Sequence, residues 1–168
     1  MKLAWTLYDE GCLAGRGVQR ETARLLVEQG LPTDCNRMFV RDPVRELEVR
    51  ELPVGQAVFL GAFEDGVNSY WLAIGSGDVW MGRGHDGDAD QQYTQVNSSI
   101  EGLVQVLRIW EAFVYSGKSD EDDDYEHFAQ DVIDQARRAD PDAFADDESW
   151  WSRVFEEVEL GVLVPEDA

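Results

Sequence analysis

The sequence predicts an α+β fold: one β-sheet of about five strands, antiparallel or mixed, with helices before and after it. Three observations predict this. An amphipathic helix comes early, near residues 18–29. A β-rich stretch with glycine-marked turns then runs to about residue 96. From residue 98 onward the apolar spacing changes to the helical period. Strands grouped before a run of helices argue for α+β rather than for alternating α/β units.

Each element has its own justification. Residues 1–17 read as an extra N-terminal strand or arm. In the first helix Val18, Thr22, Leu25, Leu26 and Gln29 share a face. Gly30-Leu31-Pro32 stops it, because Gly suits the position after a helix and Pro cannot continue the ladder. Residues 37–41 form a short strand closed by Asp42-Pro43, and residues 56–63 form another. Tyr70–Ile74 and Asp78–Met81 flank Gly75-Ser76-Gly77, which reads as a hairpin because Gly adopts positive φ without steric penalty. A further strand falls at 92–96. Ser98-Ser99-Ile100-Glu101 matches a capping box with Ser98 as the N-cap. Ile100, Leu103, Leu107, Trp110 and Val114 then make one buried stripe over a helix at 98–115. A second helix is predicted over about 122–139, with Tyr125, Phe128, Val132, Ala136 and Ala139 on one side. Its acids lie at the N-terminus and Arg137-Arg138 at the C-terminus, as the helix dipole favours. Asp140-Pro141 ends it. The last helix, near 147–160, presents Trp151, Val154, Phe155 and Val158.

The chain has 168 residues, which favours one domain spanning 1–168, with 118–168 as an acidic helical C-terminal part. Hydrophobic residues make up 43 %, enough for a core without metal or disulfide. The net charge is −21, and residues 118–168 hold 18 of the 35 acids but only 4 of the 14 bases. Such a surface repels nucleic acid and anionic lipid and attracts basic partners. The segment Met1-Lys2-Leu3-Ala4 and its neighbours are too short for an export signal, and no apolar run approaches a membrane span. Cys12 and Cys35 are therefore expected as reduced thiols in the cytoplasm.

Several motifs carry less than their spacing promises. Gly82-Arg83-Gly84-His85-Asp86-Gly87 fits a dinucleotide fingerprint, but no apolar helix follows to offer its amides, so a flexible loop is expected. Asp86, Asp88 and Asp90 are spaced like the start of a calcium loop, but Gln91 and Asn97 stand where Gly and Glu are needed. His85 and His127 have no matched Cys pair, and Ser76 sits at a hairpin tip rather than in a nucleophile elbow. No catalytic set, metal site or cofactor is predicted. Trp110 and Trp151 belong to the core. The candidate contact residues are the run Asp120, Glu121, Asp122, Asp123 and Asp124, the loop acids Asp86, Asp88 and Asp90, and Trp80 beside that loop. An aromatic ringed by acids suits a protein interface. The run 120–124 also reads simply as a solvated helix start.

Several segments together resemble the fourth group of the SUKH superfamily of bacterial immunity proteins. They are Gly30-Leu31-Pro32 with Phe39, the strand Val58-Phe59-Leu60-Gly61, the hairpin Trp71–Trp80, and Val96-Asn97-Ser98-Ser99-Ile100-Glu101-Gly102-Leu103. Asp140-Pro141-Asp142-Ala143-Phe144, Ser149-Trp150-Trp151 and Glu156–Leu160 complete the set, so the match covers about residues 18–162. A short hairpin turn and the Gly/Asp loop 82–90 depart from the pattern, so loop contacts are not carried over. The resemblance implies an α+β domain with no catalytic residues that neutralises a cognate toxin, often a nuclease or nucleotide deaminase; separately from the resemblance, a monomer is favoured. Two alternatives stay open: an acidic nucleic-acid mimic, and a scaffold or regulatory module.

The core arithmetic predicts that neither a chelator nor a reductant will lower the melting temperature by more than about 5 °C. That is comparable to the shift about 1 kcal/mol produces in a small domain. Calorimetry with and without EDTA or dithiothreitol checks it.

Overall fold

A computed structural model describes residues 3–165; Met1 and Lys2, weighed above as part of an export signal, lie outside the described residues. Strand β1 (Trp5–Thr6) pairs antiparallel with β2 (Leu31–Pro32), and between them run helices α1 (Glu10–Gly15) and α2 (Arg20–Glu28). Seven strands follow: β3 (Asp34–Cys35), β4 (Phe39–Val40), β5 (Val49–Leu52), β6 (Gly55–Ala62), β7 (Ser69–Ala73), β8 (Val79–Arg83) and β9 (Gln92–Asn97). They form one antiparallel sheet in the order β3-β4-β6-β7-β8-β9, with β5 also paired to β6. Both β4 and β5 lie along the same edge of β6: β4 meets Ala62, and β5 meets residues 55–58. Helices α3 (Ile100–Val114) and α4 (Tyr125–Ala139), a 3-10 turn (Pro141–Phe144) and α5 (Trp150–Glu159) complete the chain.

The α+β class therefore holds, with corrections. The described residues carry a seven-stranded sheet and a separate two-stranded one, not a single sheet of about five. The additional strands have two to four residues, too few to show a period of two. Only Phe39–Val40 of the expected 37–41 strand pairs, because Asn36 and Arg37 turn through positive φ just before it. Residues 1–17, expected as a strand or arm, hold both β1 and α1, the helix being capped by the Asp9 carboxylate on the Cys12 amide at 2.8 Å. Helix α4 begins at Tyr125 rather than 122, and α5 at Trp150 rather than 147, behind Ser149 as its cap.

The sheet is apolar on both faces. Val58, Leu60, Tyr70, Leu72, Val79 and Met81 face the helices and join them in the main core, which includes Leu103, Leu107, Trp110, Trp151 and Phe155. Helix α3 is the centre of that layer, touching α2, α4, β3 and β9. It also holds the N-terminal segment. Glu111 accepts the Leu3 amide at 2.9 Å and the Trp5 indole N–H at 3.1 Å, and the Arg108 guanidinium lies 3.9 Å over the Trp5 ring.

Ser98 is not the cap of α3. Ser99 is, accepting the Gly102 amide at 3.1 Å. The Ser98 hydroxyl instead donates to Asp140 Oδ1 at 2.8 Å, while the Ser98 amide and the Asn97 side-chain amide donate to Asp140 Oδ2 at 2.9 and 3.0 Å. Asn97 in turn accepts the Trp151 indole N–H at 2.9 Å. Asp140 is only 1 % exposed, so its carboxylate depends on these donors in place of water. The approach requires glycine at 102, since a Cβ there would run into the Asp140 carboxylate.

Asp140→Ala leaves three donors without their acceptor and is expected to destabilise by about 3 kcal/mol. Gly102→Ala should cost about 1–3 kcal/mol through the forced clash, and Ser99→Ala about 1 kcal/mol through loss of the cap. Urea melts of the three variants give the ranking directly; near-zero loss in Asp140→Ala would remove the network from its structural role.

Candidate functional site

The sequence-predicted contact residues fall in two places. The first is the sheet face turned away from the helices. There Leu52, Ala57, Phe59 and Trp71 make a second, smaller apolar cluster with Ala62 and Tyr93 against it. Two arginines cover it instead of a helix. The Arg45 guanidinium lies 4.3 Å from the Phe59 ring centre, and that of Arg50 lies 4.6 Å from Trp71. Arginine suits this task because its plane stacks on rings while its edge keeps five N–H donors for carboxylates.

Two carboxylates take those donors. Glu48 receives Arg45 at 3.2 Å and Arg50 at 2.8 Å; Asp86 receives them at 2.5 and 3.1 Å. Gln91 also donates to Asp86 at 3.1 Å, and Tyr93 donates to Gln91 at 2.9 Å. Burial opposes ionisation of both acids. Hydrogen bonds from Gln91 and Arg50 to Asp86, and from Arg50 and Arg45 to Glu48, together with the guanidinium charges, outweigh it and hold both carboxyls below the usual range. Asp86 thus clasps the 84–91 loop onto the sheet. Asp88 and Asp90 are exposed on that loop. Trp80 stands opposite Trp71 and Gln95 on the same face, half-buried, with its indole N–H meeting no acceptor among the described residues.

The second place is the connection between α3 and α4, in the helical layer. Asp120–Asp124 is a turn ahead of α4, not its first turn. The Asp122 carboxylate accepts the Ser119 amide at 2.9 Å, and its carbonyl accepts the Tyr125 amide at 3.0 Å. Asp124 holds Lys118 at 2.7 Å, and that hydrogen bond keeps its carboxyl below the usual range. Asp120, Glu121 and Asp123 are exposed. Trp80 and the 86–90 acids thus share a face, but the 120–124 run lies on the opposite layer.

The remaining candidates have structural surroundings. Cys12 and Cys35 are both free; burial pushes the Cys35 thiol up to about 12. His127 is exposed on α4, 3.6 Å from Asp131, and Ser76 donates to Asp78 in the hairpin loop. Among the described residues no group of three or more His, Cys, Asp or Glu side chains is placed to hold a metal ion, and no helix is long and apolar enough to cross a membrane. Sequence reasoning missed Arg45 and Arg50. The hint lay in the unusual density of Arg and Glu over 41–51, interleaved with few apolar residues.

A family model described as SUKH-4 immunity protein matches residues 6–157, from β1 to α5. No curated protein and no solved structure matches the chain.

The clasp gives a pH dependence of definite sign. Asp86 has a folded pKa below its unfolded value of about 3.9. Its contribution is complete above that unfolded value and is lost as pH falls through the lower folded one. Wild type should therefore be more stable than Asp86→Asn at neutral pH, and the gap should close in urea melts below about pH 4. A gap that stays constant down to low pH would assign the difference to something other than the carboxylate's charge.

Proposed function

The chain belongs to the SUKH-4 immunity protein family, and from that premise we propose that it neutralises a cognate toxin by binding it, the toxin being basic and acting on nucleic acid. The family match is the observation that carries the reading, since immunity to a toxin is what that family implies. The finer part rests on charge. A surface of −21 raises the local concentration of a cationic protein and speeds encounter, whereas it repels the nucleic acid that such a toxin seeks.

The acids do not all contribute alike. Asp86 and Glu48 are held by arginines, Asp124 by Lys118, and Asp122 by a backbone amide. Asp120, Glu121 and Asp123 remain turned to water, and they supply the steering field of the helical layer. Trp80, Asp88 and Asp90 form a second contact region on the sheet face. Neutralisation on this reading needs no cofactor and no bond-making step, only a complex that outlasts the encounter.

The test takes the product of the neighbouring gene as the candidate toxin. It should form a complex whose association slows as salt rises, because exposed charges are screened over about 8 Å at physiological ionic strength. Asp120→Asn, Glu121→Gln and Asp123→Asn combined should lower the association rate several-fold, flatten its salt dependence, and leave the dissociation rate within about twofold. Absence of any complex would sink the reading. Unchanged rates in the triple variant would shift the steering to Asp88 and Asp90.

A further inference from the structure

We infer that the turn closing α5, Leu160-Gly161-Val162, is the apolar anchor of the partner interface, and that it fits a hollow in the partner rimmed by Lys and Arg. The inference rests on the toxin-binding reading and names the part of the surface that holds the complex together. Leu160 is 70 % and Val162 63 % exposed, two large apolar side chains separated by one residue. Gly161 between them has φ of 68°, a conformation that strains any residue with a Cβ, and this turn projects both neighbours outward.

The turn is held rigidly from beneath. The amides of Val162 and Leu163 both bond to the Glu157 carbonyl, at 2.9 and 3.0 Å, and the Gly161 amide bonds to Val158 at 3.2 Å. The Tyr125 hydroxyl, from the start of α4, reaches the carbonyls of Val158 and Leu163 at 3.0 and 3.3 Å. Leu163 and Val164 then return to the core. The two exposed side chains therefore sit on a backbone already ordered, so a partner that covers them loses little entropy in fixing it.

The rim decides the occupant. Leu160 borders a groove of about 640 Å³ shared with Asp123, Asp124, Glu126, His127, Gln130 and Glu159. The side chain of Asp120 comes within 3.7 Å of where a Cβ on Gly161 would stand. Lys118 is already held by Asp124. A second copy of this chain would bring the same acids against these, and like charges oppose such a dimer. An uncharged partner would strip water from the carboxylates without replacing it. A basic rim around an apolar hollow satisfies both parts of the patch. On this arrangement the acids act on association, and Leu160 and Val162 on dissociation.

The experiment measures binding kinetics of the neighbouring gene's product, taken as the candidate toxin, against wild type, the double variant Leu160→Ser/Val162→Ser, and Val44→Ser. Val44 serves as control because it is more exposed than either but lies elsewhere on the surface. Thermal melts of all three must first agree, so that a change in rate is not a change in folding. The double variant should dissociate about tenfold faster or more, with association changed less than about twofold, and Val44→Ser should match wild type. If wild type binds and the double variant dissociates at the wild-type rate, the anchor assignment is wrong while the toxin-binding reading stands. If wild type binds nothing, both fall. Sedimentation of the chain alone supplies the remaining outcome: self-association abolished by the double variant would make a second copy the occupant and overturn the basic partner.

Discussion

A buried carboxylate needs donors, and Asp140 finds all of its own at one seam. Asn97 ends the sheet, Ser98 bridges to α3, Asp140 ends α4, and Trp151 lies in the first turn of α5. One charged group thus fixes the relative positions of the last strand and three helices. Apolar packing alone tolerates sliding of one helix over another; a carboxylate with three short hydrogen bonds does not. The arrangement also joins segments that lie far apart in the chain. The Asn-Ser-Ser run, Gly102, Asp140 and Trp151 are separate words in the sequence and one network in the fold.

The arginine cover on the sheet follows a different logic. Phe59 and Trp71 would leave an exposed aromatic face if the sheet simply ended in water. Arg45 and Arg50 shield the rings with their flat guanidiniums, and Glu48 with Asp86 keeps those guanidiniums in place. The acidic chain thus directs much of its scarce positive charge inward to its own surface features. Lys118 on Asp124 repeats the pattern on a smaller scale. What remains toward solvent is correspondingly more negative.

Helices and long strands were legible because their periods repeat several times: α3 and the β7–β8 hairpin fall within a few residues of expectation. Strands of two residues carry no period, so β2 and β3 could be known only from their partners. The cap of α3 was misplaced by one residue for a specific reason. Ser98 and Ser99 are the same residue type, and Glu101 three positions on favours Ser98 locally, yet the distant Asp140 claims its hydroxyl. The candidate site divides in the same way. Exposure of the 120–124 run follows from composition, while the capture of Asp86 depends on arginines some forty residues earlier. The Leu160–Val162 turn was hidden because two apolar residues around a glycine look, in a sequence, like the end of a buried helix.

Trp5 and Glu111 are 106 residues apart, and their contact orders the chain in time as well as in space. Local pairing of β1 with β2 needs only the first third of the chain, but the N-terminal tryptophan has no seat until α3 has been made. Pairs this distant close late, because loop closure must be met before the contact repays it. Synthesis at about 5–20 residues per second separates the emergence of Trp5 from that of Glu111 by roughly 5–20 s. For that interval an indole, its N–H and the rest of an unfinished sheet are open to water. The stretch that has emerged by then carries only about a third of the chain's net negative charge, so like-charge repulsion between neighbouring copies is weakest while the last helices are still to come.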